Sequence, residues 1–263
     1  MNFPIYQVDV FTHRIFGGNP AAVVILEEWL DDQTLQAIAA ENNLAETAFV
    51  IPGRNCSNLR WFTPSVEMDL CGHATLAAAH VLFQEYYREE NNLQFDTKGG
   101  SLAVTRKEDL LSLDFPSRPG EAVAVDQSLI EALGTTPESA FLARDLMVVL
   151  ESEAKVRAFS PNYLAIQNLD AFALIVTARG DEFDFVSRFF APTAGVPEDP
   201  VTGSAHCTLI PYWSNRLGKA ALMARQISSR GGELNCELKG DRVLIGGKVV
   251  EYMRGEIRVG VAS

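Results

Sequence analysis

A chain of 263 residues with 47% hydrophobic and 21% charged side chains is globular in composition, with material for a core in each of one or two domains. Its 34 acidic and 22 basic residues leave a formal charge of −12, which disfavours nucleic acid and anionic membrane as partners. The opening residues lack a basic segment followed by an apolar run, and no stretch approaches the roughly 18 apolar residues of a membrane span. The expectation is a soluble, cytoplasmic protein.

Residues 5–10 and 21–26 read as strands about a turn at Gly17-Gly18-Asn19-Pro20. The spacing of Leu35, Ile38 and Ala39 predicts a helix over 32–42. Residues 47–51 and 59–62 form a hairpin joined through Pro52-Gly53. The helix that follows, 74–83, has Thr75 and His80 as its only strongly polar side chains. A helix apolar nearly all round is buried on every side, as though a sheet were wrapped about it. Strands follow at 102–105 and 111–115, and Pro116-Ser117-Arg118-Pro119-Gly120 punctuates the chain. The expected lobes are therefore 1–116 and 117–263. In the second, 172–176 reads as a strand, 183–188 as a short helical piece, and Ser204 opens a helix interrupted by Pro211. Strands at 224–228, 243–246 and 256–261 close the chain, and the last is expected to cross back to the first lobe.

Two stretches half a chain apart share one grammar. Arg60-Trp61-Phe62-Thr63-Pro64 precedes Cys71-Gly72-His73-Ala74, and Arg188-Phe189-Phe190-Ala191-Pro192 precedes Thr202-Gly203-Ser204-Ala205. This spacing points to two copies of one unit. The fold expected is α+β, in two similar lobes from internal duplication. A helix start offers unpaired N–H groups and the positive end of the macrodipole, and Gly72 and Gly203 allow a ligand close to the backbone. The plainer reading makes Thr202 or Ser204 a helix cap and the glycines turn residues.

Glu46 stands at the mouth of an apolar strand, flanked by Leu44, Ala48 and Phe49. Partial desolvation there would raise its pKa toward the range of a general acid/base. The alternative is a solvated strand end. His73 shares the first turn of the proposed anion site, and Asp199 adds a carboxylate beside the second. Cys71 is a thiol acid/base only if the helix end lowers its pKa; its counterpart, Thr202, is unable to do the same. Ser204 and His206 do not fit a G-x-S-x-G nucleophile. The cysteines at 56, 71, 207 and 236 have no CxxC spacing, so no metal site is expected. No phosphate- or dinucleotide-binding loop is present.

These pieces resemble the phenazine-biosynthesis PhzF-like family, itself similar to diaminopimelate epimerase and proline racemase. The resemblance is carried by Asp9-Val10-Phe11-Thr12, Gly17-Gly18-Asn19-Pro20-Ala21, Ala45-Glu46-Thr47-Ala48-Phe49, Arg60-Trp61-Phe62-Thr63-Pro64 and Cys71-Gly72-His73-Ala74-Thr75. In the second half it rests on Glu198-Asp199-Pro200-Val201-Thr202-Gly203-Ser204-Ala205 and Gln226-Ile227-Ser228-Ser229-Arg230-Gly231-Gly232. It implies two lobes, each a curved mixed sheet around a central helix, with the active site between them. It implies a cofactor-independent isomerase, with no metal and no organic cofactor, that moves a proton on a small carboxylate-bearing metabolite. Glu46 is then the general acid/base, with His73, Asp199 and Ser204 as partners. Asn19 orders the site, and Gly72 and Gly203 donate to the substrate carboxylate. Homodimers are expected on the same ground. An epimerase or racemase using Cys71, and a non-catalytic metabolite-binding protein, are the alternatives.

Overall fold

The computed structural model describes residues 1–260; Val261, the expected end of the last strand, lies outside them. The first part of the chain forms β1 (Asn2–Val10), β2 (Asn19–Ile25), α1 (Asp32–Asn42), β3 (Glu46–Ile51), β4 (Ser57–Phe62), β5 (Glu67–Met68), α2 (Gly72–Glu85), β6 (Asn92–Thr97), β7 (Gly100–Lys107) and β8 (Leu110–Pro116). It continues through β9 (Glu121–Val123), α3 (Gln127–Leu133), β10 (Ser139–Leu142), β11 (Leu146–Val149), α4 (Glu153–Ala158), α5 (Tyr163–Gln167), β12 (Leu174–Arg179), β13 (Phe185–Ala191) and β14 (Val196–Asp199). The last elements are α6 (His206–Leu217), β15 (Ala221–Gln226), β16 (Gly232–Lys239), β17 (Arg242–Gly247) and β18 (Val249–Arg258). The chain divides into two compact units, Met1–Asp114 with the segment from Gly246 onward, and Phe115–Ile245.

In the first unit β1 pairs antiparallel with β18 and β2, β2 runs parallel to β3, and β3 pairs antiparallel with β4. β4 takes β5 antiparallel and β6 parallel, and β6, β7 and β8 follow as an antiparallel meander. In the second unit β10 pairs antiparallel with β9 and β11, β11 runs parallel to β12, and β12 pairs antiparallel with β13. β13 takes β14 antiparallel and β15 parallel, and β16 closes on β15 antiparallel. The same succession of pairing senses occurs in both units.

Helix α2 lies against β1, β2, β3, β7 and β18. Its buried residues run from His73 to Ala79 without a break and include Val81, Leu82 and Phe83. With no solvent face, it offers the small Ala74, Ala77, Ala78 and Ala79 to close neighbours and Leu76, Leu82 and Phe83 to wider gaps. Helix α6 packs on β15 and β16, and Trp213 is held by its indole N–H on Thr177 Oγ1 at 3.0 Å. Pro211 has no N–H for the Cys207 carbonyl one turn back; the backbone N–H of Arg118 fills that place at 2.8 Å.

The Arg-aromatic half of the repeated grammar is structural. Arg60 grips Glu67 with two bonds of 2.7 and 3.0 Å and lies over the Phe62 ring. Arg188 grips Glu198 at 2.7 and 2.9 Å and lies over Phe190. In each unit this bidentate pair ties a strand to the short strand after it.

Several expected elements differ, among them the strand expected at 256–261, which begins at Val249. The piece at 183–188 is the start of strand β13, because pairing with β12 on one side and β15 on the other outweighs any local helical preference. Helix α2 begins two residues early, at Gly72, and α6 two residues late, at His206, after a turn whose cap position, Ala205, gives no side-chain bond. Neither Thr202 nor Ser204 caps α6.

Leu76 is fully buried on α2, so Leu76→Ala is expected to destabilise the protein by about 2–5 kcal/mol. Urea unfolding monitored by circular dichroism measures it; a loss below about 0.5 kcal/mol would contradict full enclosure of the helix.

Candidate functional site

In the first unit, parallel pairing of β2 with β3 sets Ala21 opposite Glu46. Asn19 precedes Ala21 by two residues on the same face of β2, so strand register brings Asn19 and Glu46 to one corner. The approach to Asn19 is tight: Gly18 has φ +62°, and a Cβ there would collide with the Val10 carbonyl. The first turn of α2 supplies the other side of the corner. Cys71 occupies the cap position without a side-chain bond to the helix, while Thr75 donates its hydroxyl to the Cys71 carbonyl at 2.6 Å.

His73 is the centre of this group. Its Nε2 lies 3.1 Å from Glu46 Oε2, and its Nδ1 faces the Asn19 side-chain amide at 3.5 Å and Cys71 Sγ at 3.6 Å. Asn19 is fully buried, and His73 and Cys71 are each 7% exposed. Glu46 retains 15% side-chain exposure, the most open of the four.

Burial alone pushes the Glu46 carboxyl up, as its apolar neighbours suggest, but the adjacent His73 outweighs it and the pKa falls below the ordinary value. This corrects the expectation of a raised Glu46. Burial likewise opposes charge on His73, yet Cys71 and Glu46 outweigh it and hold the imidazole well above its ordinary range. The Cys71 thiol is pushed up by burial and by the Glu46 charge. A neutral thiol leaves the Glu46 carboxylate as the charge that sustains the imidazolium near neutral pH. Cys71 is thus not activated by the helix end.

Glu46, Cys71 and His73 bring one potential metal-ligand atom each to within 4.8 Å of one another. The opposite ring nitrogens, however, address different partners, Nε2 the carboxylate and Nδ1 the thiol. The groups are disposed around the imidazole rather than around a common point, an arrangement suited to passing protons rather than to tetrahedral ligation.

In the second unit, Thr202 donates its hydroxyl to Asp199 Oδ2 at 2.5 Å. Gln226, fully buried at the end of β15, accepts the Thr202 N–H at 2.9 Å and donates to the Asp199 carbonyl at 2.7 Å. Its Nε2 also reaches Thr202 Oγ1 at 3.3 Å, which directs the hydroxyl proton toward Asp199. Arg144, paired with Asp145, reaches Ser204 Oγ at 3.4 Å. Sequence reasoning assigned no role to Gln226 or Arg144. Gln226 stood inside a stretch that carried the family resemblance, but a lone glutamine at a strand end has no pattern that marks it. Ser204 and His206 are not a nucleophile and base: Ser204 meets Arg144, while His206 Nδ1 lies 2.8 Å from the Thr202 carbonyl.

Residues 8–255 match the sequence family described as phenazine biosynthesis-like protein. The chain belongs to this family. Among its relatives, an "uncharacterized isomerase" of Pseudomonas aeruginosa is 52% identical, across 98% of this chain and 100% of the relative. The crystal structure of a PhzF-family phenazine biosynthesis protein from Enterococcus faecalis superposes with a TM-score of 0.96 at 49% identity, covering 98% and 100% of the two chains. A hydroxyproline epimerase from Agrobacterium vitis, 11% identical with a TM-score of 0.62 over 97% and 91%, shares the fold alone. This kinship makes the chain an isomerase and its architecture α+β. Among the described residues, no helix is long and apolar enough to cross a membrane.

Fully buried His206 is pushed down to about 4 by desolvation, which the Thr202 carbonyl only partly offsets. An unfolded chain therefore takes up a proton near pH 6.5 that the folded chain refuses until about pH 4. The contribution is complete above pH 6.5 and is lost as pH falls toward 4, to a limit of about 3 kcal/mol. His206→Asn is expected to flatten the pH dependence of unfolding in that window; unchanged slopes in wild type and variant would contradict a buried neutral His206.

Proposed function

We propose that the protein is a cofactor-independent isomerase that relocates a proton on a small carboxylate-bearing metabolite, with Glu46 as the general acid/base. The observation that carries this is the 3.1 Å approach of the partly exposed Glu46 carboxylate to the buried His73 imidazole. A carboxylate kept ionised beside an imidazolium is ready to accept a proton from carbon. As the C–H bond breaks, the proton passes to Glu46 and the electron pair spreads toward the substrate carboxylate. Positive charge on His73 and the uncapped N–H groups of the first turn of α2, at Gly72 and His73, favour that growing negative charge. Glu46 then returns the proton to a different carbon. Asn19 lines the site beside the imidazole. Within the second unit, Asp199, Gly203 and Ser204 are the proposed functional residues by the family resemblance, and the matched succession of strand pairings supports an internal duplication as the origin of both units.

The second reading is an epimerase or racemase in which Cys71 is a second acid/base, favoured by its 3.6 Å contact with His73 Nδ1. The raised Cys71 pKa and the threonine at the matching position 202 weigh against it.

A panel of small carboxylic acids incubated with the enzyme in deuterated water, followed by NMR and chiral chromatography, tests both. The expected result is deuterium at a carbon distinct from the one that loses hydrogen, and a fall in turnover of at least about 100-fold in Glu46→Gln, the scale of a general acid/base contribution. Full turnover in Glu46→Gln would remove its assigned role, and inversion at a single carbon lost in Cys71→Ala would establish the second reading.

A further inference from the structure

We propose that Arg144 is a specificity-determining residue of the second unit, where the end of its guanidinium and the Ser204 hydroxyl bind a carboxylate of the substrate. The assignment rests on the reading that Ser204 belongs to the substrate site.

Strand register shows what stands in the second unit at the place of Glu46. Phe49 lies opposite Arg60 on β4, and Glu46 is three residues before it. Val176 lies opposite Arg188 on β13, and the residue three before it is Ala173. The matching strand of the second unit therefore begins without a carboxylate. A cation is present instead. Arg144 Nη2 lies 3.4 Å from Ser204 Oγ, and Ser204 holds the position matched to His73.

Three contacts hold Arg144 in place. It lies in the short turn between β10 and β11, and its carbonyl accepts the Phe172 N–H at 3.2 Å. Its guanidinium lies over the Phe172 ring, 4.6 Å from the centroid. The side edge of the guanidinium, Nε and Nη2, grips Asp145 with bonds of 3.0 and 3.1 Å. Asp145 is almost fully covered, at 3% side-chain exposure, whereas Arg144 keeps 42%. Nη1 has no hydrogen-bond partner among the described residues. The end edge, Nη1 and the second N–H of Nη2, is thus left to a ligand. Two parallel N–H groups there match the two oxygens of a carboxylate, and the Ser204 hydroxyl adds a third donor.

Charge favours the same occupant. Asp145 balances Arg144, but Arg118 adds a further cation, half-buried and without an ion-pair partner among the described residues. The backbone of Arg118 is tied to the Cys207 carbonyl, three residues after Ser204. Cys207 senses both arginines: burial pushes its thiol up to about 11, Arg118 and Arg144 pull against that, and Asp145 opposes them. Two guanidiniums against one carboxylate leave this place positive on a chain of net charge −12, so it draws an acidic group.

Titration of the full chain with acetate and succinate at fixed ionic strength, with chloride as the control salt, tests this. The backbone amide signals of Phe172 and Ser204 in nitrogen–proton NMR are expected to shift saturably with the carboxylates and not with chloride. Arg144→Gln is expected to raise the dissociation constant at least about tenfold, the scale of a lost hydrogen bond to a charged group. Arg144→Lys keeps a cation beside Asp145 but loses the planar fork, and it too is expected to bind more weakly than wild type. Circular dichroism and Tm confirm that both variants fold. On an acid that the enzyme turns over, Arg144→Gln is expected to raise KM at least about tenfold and to lower kcat less than Glu46→Gln does. Wild-type signals that do not shift, or affinity and KM unchanged in Arg144→Gln, would overturn the proposal whatever Glu46 does. Full turnover in Glu46→Gln beside Arg144-dependent binding would instead remove the acid/base reading and leave this one standing.

Discussion

Everything at the candidate site follows from burying the N-terminus of a helix that has no solvent face. Helix α2 is buried without a break from His73 to Ala79, so its first turn has to settle its polar groups inside the protein. Cys71 at the cap position contributes no side-chain bond to that turn, and His73 enters a nearly dry environment. Burial pushes His206 in the second unit down to about 4, the neutral Thr202 carbonyl offsetting it only in part. His73 behaves in the opposite way because Glu46 is 3.1 Å away. Two buried histidines are therefore pushed in opposite directions, His206 down by desolvation and His73 up because Cys71 and Glu46 outweigh its burial.

The contrast organises the two units functionally. Their strands pair in the same succession, and the Arg60–Glu67 and Arg188–Glu198 clamps are close copies. Where the repeated grammar reaches its helix starts the two units part: Cys71 and His73 stand where the other unit has Thr202 and Ser204. The first unit uses that place for a carboxylate and an imidazole. The second uses it for a hydroxyl and carboxylate network fixed by Gln226. The succession of strand pairings is shared, and the carboxylate–imidazole pair belongs to the first unit.

Much of this was legible in the sequence, for physical reasons that differ by element. Helix α1 matched its expected 32–42 span because apolar Leu35, Ile38 and Ala39 keep helical spacing and Asp31 accepts the Thr34 N–H at its start. Enclosure of α2 was readable from its lack of polar residues, whereas its start was not, since Cys71 carries no cap signal. Strand β13 read as helical because its start, Phe185 to Ser187, is flanked on one side by β15, whose residues from Ala221 onward lie outside any local window. Glu46 was found as a carboxylate among apolar neighbours, but the direction of its pKa shift was not. That direction depends on His73, 27 positions along the chain, and only the folding of β3 beside the first turn of α2 brings the two together.

The protonation state of His73 tests this account most directly. Nitrogen NMR of the imidazole, assigned by comparison with His73→Asn, reports the charge on the ring as pH is raised. The account requires an imidazolium that persists well above pH 6.5 in wild type and reverts to a neutral ring near pH 7 when Glu46 is replaced by glutamine. A His73 ring already neutral at pH 6.5 in wild type, or one unaffected by loss of the Glu46 charge, would contradict it.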